Sequence, residues 1–310
     1  MAVSLKTNED RLVEIGVLAE VAPARMAGAL YRISPDGEPI ILPGTGGITY
    51  NVRVGDPAIG WAADHVEPGV TVQSRERDGS RNANSGLNVL ASVGNPVRVV
   101  SGDAKGGRGV VTGKHGGVDH VLVDFPPRVL DNLVIGDRLL IRTKGLGLAL
   151  TDFPNVKVFN LDPDLLGKMR LKGRRKKLWV PVAAVIPAAA MGSGLGAAHC
   201  YSGDYDVQMA DPDTVSAHGL DKLCLGDIVA ITDADHRFGR TMRSGALAIG
   251  VIVHTDCVVS GHGPGVTTLM ASARAHLEFE ISRGANIADY LRAGRARRES
   301  QARQPSGRGE

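Results

Sequence analysis

Glycine recurs so densely in this chain that uninterrupted apolar runs stay short. Of 310 residues, 40 are Gly, well above the usual ~7%. Each Gly inside a helix costs about 1 kcal/mol relative to Ala, whereas at a turn it supplies positive φ without strain. No Gly-x-y period is present, which excludes a collagen-type triple helix. The runs between glycines therefore read as strands: Arg98-Val-Val, Val118 to Phe125, Leu139-Leu-Ile and Ile228 to Ile231 are all bounded by Gly, Asp, Asn or Pro. Leu277, Phe279 and Ile281 alternate with Glu278, Glu280 and Ser282, the pattern of a half-buried strand. Helical signals are few. They are Asn84 to Val93 ahead of Gly94, Asp162 to Met169 with Pro163 at its first position, and Ile287 to Arg298 behind a capping Asn286. The expected fold is mainly β with few helices (α+β), in two β-rich barrel- or sandwich-like domains.

Composition shifts place the boundaries. The expected units are an N-terminal β-rich domain over 1–160, a C-terminal β-rich domain over 161–285, and a terminal helix with a basic flexible tail over 286–310. An apolar-x-apolar-Gly-Asp pattern recurs at Val52 to Asp56, Leu133 to Asp137 and Leu223 to Asp227. It reads as a tight turn feeding a strand, with Gly at positive φ and Asp bonded to the turn backbone. Seven basic residues and no acid lie between Lys168 and Lys177, and six Arg with two Glu follow from Arg292, within a net charge of only +3. The body is thus mildly acidic, and nucleic acid ranks last among partners. The 12-residue apolar stretch Val180 to Met191 holds Pro181 and Pro187 and is too short to span a bilayer. Three cysteines, Cys200, Cys224 and Cys257, make no disulfide framework. A soluble, cytoplasmic protein without a membrane partner is expected.

Four stretches carry residues suited to chemistry. Gly194 to Asp206 holds His199, Asp204 and Asp206. The two carboxylates are i and i+2, so they share a face in extended backbone, and with an imidazole they form an N/O set for a divalent cation. A surface loop of turn-forming Gly and Asp fits the same spacing. Val253 to Cys257 presents His254 and Asp256 at a strand exit, followed by His262 in Gly-His-Gly-Pro-Gly. Ser101 to Gly117 places Asp103, Lys105 and His115 among many glycines; it resembles an anion-binding nest but lacks the P-loop spacing. Asp64-His65-Val-Glu67 and Asp119-His120 are further acid–base or ligand candidates, with surface solvation as the competing fate. Gly192-Ser-Gly-Leu-Gly-Ala197 matches a dinucleotide fingerprint in letters only, because His-Cys-Tyr-Ser-Gly-Asp follows where a helix is required.

Several of these segments together resemble the two-part prokaryotic family catalogued as domain of unknown function 4438. They are Leu42 to Asn51, Asp64 to Gly69, Ser101 to Gly106, Val111 to Gly117, Met191 to Gly196, Gly203 to Asp206 and Gly261 to Val266. The family name implies no activity. Over about 15 residues, His199-Cys-Tyr-Ser-Gly-Asp204-Tyr-Asp206 is also similar to the acetamidase/formamidase loop His-x-x-x-Gly-Asp-Gly-Glu, departing from it at Tyr205 and Asp206 and at the preceding Gly-Asp, where Gly196-Ala197 stands. That likeness implies a divalent metal (Zn, Mn, Mg or Ca) and amide chemistry.

The leading expectation is a metal-dependent, amidase-like hydrolase of a C–N bond in a small amide or cyclic amide, working as a homo-oligomer. His199, Asp204, Asp206 and Asp256 are the expected metal ligands. His254 and His262 would complete the shell or act as base, and the catalytic loop of Asp103, Lys105 and His115 would bind a substrate carboxylate or stabilise an oxyanion. A metal-assisted lyase or isomerase on a small carboxylate, or a non-catalytic metal- or ligand-binding protein, are the alternatives.

Overall fold

The computed structural model describes residues 5–26, 31–74, 82–274 and 276–296. Among these residues the first half contains nine strands: β1 (Ile15–Val21), β2 (Arg32–Ile33), β3 (Pro39–Ile40), β4 (Ile48–Thr49), β5 (Gly69–Gln73), β6 (Pro96–Val99), β7 (Arg108–His115), β8 (His120–Asp124) and β9 (Arg138–Thr143). Helix α1 (Asn82–Leu90) follows β5, and α2 (Pro127–Leu130) follows β8. The strands pair antiparallel in the order β1-β9-β6-β7-β8-β5, and β5 pairs back to β1, so six strands close a barrel. β4 adds to β5 at its rim, and β2 pairs with β3 as a separate ribbon. Closure removes the open edges that a sheet of such short strands would otherwise expose. Val21, Val72, Val99, Val111, Val123 and Ile141, one from each wall strand, fill the interior.

The second half contains β10 (Lys157–Val158), β11 (Lys172–Arg174), β12 (Lys177–Val182), β13 (Ala184–Pro187), β14 (Ile228–Asp235), β15 (Thr241–Ile252), β16 (Val266–Ser272) and β17 (Leu277–Ile281). A five-stranded sheet has the order β10-β16-β15-β14-β13, and a three-stranded sheet has the order β11-β12-β17. Because β10 pairs with β16, residues 157–158 already belong to the second sheet, just inside the expected end of the first unit. The basic run makes the β11–β12 hairpin. Arg175 and Lys176 form its tip with positive φ, and Lys172 and Lys177 pair with Glu280 and Glu278.

Helices α3 (Pro163–Lys168), α4 (Pro212–His218) and α5 (Ile287–Leu291) are short. α3 is capped by Asp162, whose carboxylate accepts from Asp164 N at 2.7 Å. α5 is capped by Asn286 and breaks after Leu291, where Arg292 turns left-handed; residues 294–296 are helical again, and the expected end at Arg298 lies outside the described residues. The tail from residue 297 lies outside the described residues. Among the described residues, no helix is long and apolar enough to cross a membrane.

The Gly-Asp pattern is one recurring turn. Gly55, Gly136 and Gly226 have φ of 93°, 89° and 87°. Asp56, Asp137 and Asp227 each accept from the backbone N–H three residues earlier, at 2.9, 3.1 and 2.8 Å. Two of these turns, one from each half, bond to each other: Gly55 N to Leu225 O at 2.7 Å and Leu225 N to Asp56 O at 2.8 Å. The cores interpenetrate as well. Val52, Ala58 and Val66 of the first half pack with Tyr205, Val207 and Leu223 of the second. The segment around Gly294 returns to the first half, where Gly294 N donates to Asp124, which is ion-paired to the buried Arg53.

Candidate metal centre

The seam between the halves gathers histidines and carboxylates. In the first half, the β7–β8 hairpin sets His115 opposite His120. Glu67 lies beneath both and is fully enclosed. Its carboxylate accepts from His115 Nδ1 at 2.6 Å, His120 Nδ1 at 3.0 Å, Gly46 N at 2.7 Å and Thr71 Oγ1 at 2.5 Å. His65 sits two residues before Glu67 with φ of 59°, a costly conformation for a non-glycine residue. It is held there by Asp64 N to Pro43 O, His65 N to Asp256 O and Val66 N to Thr255 Oγ1.

The second half supplies Asp204 and Asp206. Tyr205 between them turns into the core, so both carboxylates face the seam. Asp206 forms a bridge with Gly265, and Gly116 N donates to Asp204 Oδ1 at 2.8 Å. His254 lies two residues beyond the end of β15, and His262 stands on the next loop, half-exposed. A Cβ on Gly265 would lie 1.9 Å from Asp204 Oδ2 and 2.3 Å from His254 Nε2, so only glycine leaves room for the cluster.

The ring orientations are set from outside. Nδ1 of His65 meets Asp64 Oδ1 at 3.1 Å, Nδ1 of His115 meets Glu67, and Nδ1 of His254 donates to Thr255 O at 2.9 Å. Each Nε2 is thereby left as the free ring nitrogen. One ligand atom each from His65, His115 and His254 lies within 4.8 Å of the others. The same holds for Asp204, Asp206 and His254, and for His65, Asp206 and His262. Two ligands at about 2.0–2.2 Å from one ion stand at most about 4.4 Å apart, so these sets are near ligating separation. His254 Nε2 and Asp204 Oδ2 approach to 2.7 Å without hydrogen-bond geometry, and both are buried and otherwise unpartnered. Two such atoms aimed at one point fit a shared cation, and imidazole nitrogens held by acceptors on their far side are the usual outer arrangement of a metal-ligating histidine.

Electrostatics agrees with that fit. Burial opposes ionisation of Asp206, yet the neighbouring imidazoles of His254, His262 and His65 hold it far below the usual carboxylate range. Burial also opposes ionisation of Asp204, and the charges of His115 and His254 outweigh it. Burial would lower His254, but the adjacent Asp204 raises it well above an ordinary imidazole; His65 is raised against burial by Asp206 and Asp64. Asp64, despite burial, is brought down to about 2 by its bonds with His65 and Cys257. Burial pushes the Cys257 thiol up, so it serves Asp64 as a protonated neighbour. Two buried carboxylates thus stand ionised and draw positive charge from the imidazoles or from a cation, since an uncompensated buried ion costs several kcal/mol.

The cluster opens into a cavity of about 230 Å³ lined by His65, His115, His262, Asp204, Asp206, Arg32 and Arg240. The residues selected from sequence divide accordingly. Asp204, Asp206, His115, His254 and His262 come together. His199 does not: it is exposed, and its Nδ1 accepts from Tyr201 N at 3.3 Å. Asp256 stands beside the cluster and outside the ligand sets, its carbonyl positioning His65 and its carboxylate accepting from Cys257 N at 2.7 Å. Asp103 and Lys105 are exposed on the turn ahead of β7. His115 is at the far end of that strand, about 23 Å away at ~3.3 Å per residue. Asp119 is exposed, while His120 is buried on Glu67.

Family profiles match the chain in two parts: "Domain of unknown function (DUF4438), N-terminal" over residues 31–167 and "Domain of unknown function (DUF4438), C-terminal" over 168–291. No curated protein matches it. A solved structure described as "Crystal structure of TM1086" is similar at a TM-score of 0.87 and 50% sequence identity, over 93% of this chain and 99% of that one.

Proposed function

The chain belongs to the DUF4438 family, carrying both its N-terminal and its C-terminal parts, and on that footing we propose that the seam cluster holds a catalytic divalent cation and hydrolyses a C–N bond in a small amide or cyclic amide. The observation that carries this reading is the set of three histidines whose Nδ1 atoms are each occupied by an acceptor while one ligand atom of each converges with the others. Asp204, Asp206, His254, His115 and His65 would hold the cation. The imidazole-rich set favours Zn²⁺ or Mn²⁺ over Mg²⁺ or Ca²⁺, which prefer all-oxygen shells. When bound, such an ion supplies Lewis acidity toward a carbonyl oxygen and acidifies water.

The chain's own groups do the rest. His262, at the cavity mouth, is oriented by Asp206 Oδ2 at 3.0 Å from its Nδ1. Its Nε2 can take the proton of the attacking water and return it to the leaving nitrogen, so water adds across the C–N bond with oxygen going to the acyl carbon. The small cavity supports a small substrate. The C–N assignment is supported by the local likeness of residues 199–206 to the acetamidase/formamidase loop.

The test is elemental mass spectrometry of gently purified protein, followed by ammonia or amine release from simple linear and cyclic amides. The expected result is a stoichiometric divalent ion, lost in Asp204→Asn and His254→Ala and kept in His199→Ala, with turnover following metal content. Protein that takes up no ion after dialysis against Zn²⁺ or Mn²⁺ would overturn the metal reading. Metal without turnover would reassign the site to binding.

A further inference from the structure

One cation at the seam has no acid to answer it. Arg240, on the turn ahead of β15, is 4% exposed and lines the same cavity as the His/Asp cluster. Its Nε has no hydrogen-bond partner, and its Nη2 makes only a long contact of 3.4 Å with Ser202 O. The Tyr205 ring lies 5.8 Å from the guanidinium carbon. Among the described residues, no carboxylate comes within ion-pair distance of it, whereas Arg32, the other arginine of the cavity, is paired with Asp64 at 3.0 Å. A guanidinium stays charged under all ordinary conditions, and its burial without a partner costs several kcal/mol. The space beside it is kept open. A Cβ on Gly194, another lining residue, would sit 3.2 Å from Nη1.

We propose that Arg240 is the receptor for a carboxylate carried by the substrate, so that the amide cleaved at the cluster belongs to a small acid. This rests on the hydrolase reading above and names the substrate class it implies. The planar guanidinium fork matches the two oxygens of a carboxylate. A phosphate dianion calls for more cationic donors than this cavity offers, since Arg32 is already engaged. With the carboxylate on Arg240, the amide carbonyl is directed toward Asp204, Asp206 and the histidines across the cavity. Arg240 thus selects and orients substrate and takes no part in bond breaking.

The probes are N-acetylglycine and its neutral counterpart, N-acetylglycine amide, which differ only in the terminal charge. Binding is measured by calorimetry to wild type, Arg240→Gln and Arg240→Lys, with metal content determined on the same preparations and folding checked by circular dichroism. The acid is expected to bind wild type in preference to the amide. It should weaken by about 10- to 100-fold in Arg240→Gln, the usual worth of a charge-assisted hydrogen bond, and recover in part in Arg240→Lys. The amide should bind both equally. Equal binding of the acid to wild type and Arg240→Gln at equal metal content, or no measurable acid binding to wild type, would overturn the assignment. Inorganic phosphate binding more tightly than the acid, and only when Arg240 is present, would overturn the carboxylate in favour of a phosphoryl group. Wild type that lacks metal yet loses the acid in Arg240→Gln would refute the metal centre and leave the anion receptor standing.

Discussion

Glu67→Gln probes whether the histidine tautomers at the seam are set from behind. The Glu67 carboxylate is 1% exposed and faces four donors: Gly46 N and Thr71 Oγ1 at Oε2, and His115 Nδ1 and His120 Nδ1 at Oε1. Glutamine has one acceptor oxygen and one NH₂. The Gly46 N–H is backbone and can only donate, so the amide oxygen must stay at the Oε2 position. The NH₂ then confronts both histidines. Either it opposes buried N–H donors, at about 1–3 kcal/mol, or His115 moves its proton to Nε2, the nitrogen left free for the cluster. Both routes remove ligand strength, and a lost outer-shell partner typically costs about 10- to 100-fold in metal affinity. The loss is small beside a folding stability of about 5–15 kcal/mol, so the variant should remain folded. Chelator competition for Zn²⁺ or Mn²⁺, run beside far-UV circular dichroism, measures it. Wild-type affinity in folded Glu67→Gln would show that the Glu67–His115 bond does not select the ligand nitrogen.

Two further perturbations follow from the geometry. Gly265→Ala places a methyl group onto Asp204 Oδ2 and His254 Nε2; metal content should fall at least about tenfold while circular dichroism changes little, and full occupancy would move the ligand site elsewhere. His236 is pushed down to about 3, first by burial and then by the Arg240 charge. The unfolded chain takes up that proton near pH ~6.5 and the folded chain does not until about 3, so this group makes stability fall as pH drops through that window, by up to ~1.4 kcal/mol per pH unit. Urea midpoints between about pH 6 and 4 should therefore slope more steeply in wild type than in His236→Asn, and parallel slopes would refute the assignment.

The strands were legible because Gly and Asp mark their ends, as the three Gly-Asp turns show. Barrel closure was not, because it depends on β1 pairing with both β5 and β9, far apart in the chain. At the site, Asp204 and Asp206 were legible through two-residue alternation, which survives because Tyr205 is drawn into the core. His199 is near the two carboxylates in sequence, but the chain turns at Gly203, φ 68°, and leaves it outside. The same alternation would set Asp256 on the face of His254, yet β15 ends at Ile252 and the alternation stops with it. His65 and Glu67 carried too little local signal to stand out from a surface Asp-His pair. Their role comes from the hairpin that brings His115 and His120 over Glu67. Arg240 carried no signal, since its significance is the acid it lacks.

The division of the ligands has a thermodynamic consequence. His65 and His115 belong to the part matched over 31–167, whereas Asp204, Asp206, His254 and His262 belong to the part matched over 168–291. Asp204, Asp206 and His254 form a set within the second part, whereas every set that includes His65 draws on both parts. The parts already meet closely: a Cβ on Gly113 would lie 2.3 Å from the Val253 side chain, and one on Gly203 2.9 Å from Gly116 Cα. A cation held also by His65 and His115 binds most tightly when both parts are folded and docked, and its binding energy then stabilises the docked state by mass action, about 4 kcal/mol at a free concentration 1,000 times Kd. Calorimetry of the whole chain should show one unfolding transition that rises with added Zn²⁺ or Mn²⁺ and falls back with a chelator. His254→Ala should lose the rise, and so should His115→Ala, although the two residues lie on different parts. A rise abolished by one substitution and untouched by the other would place the ion within a single half and refute a centre built across the seam.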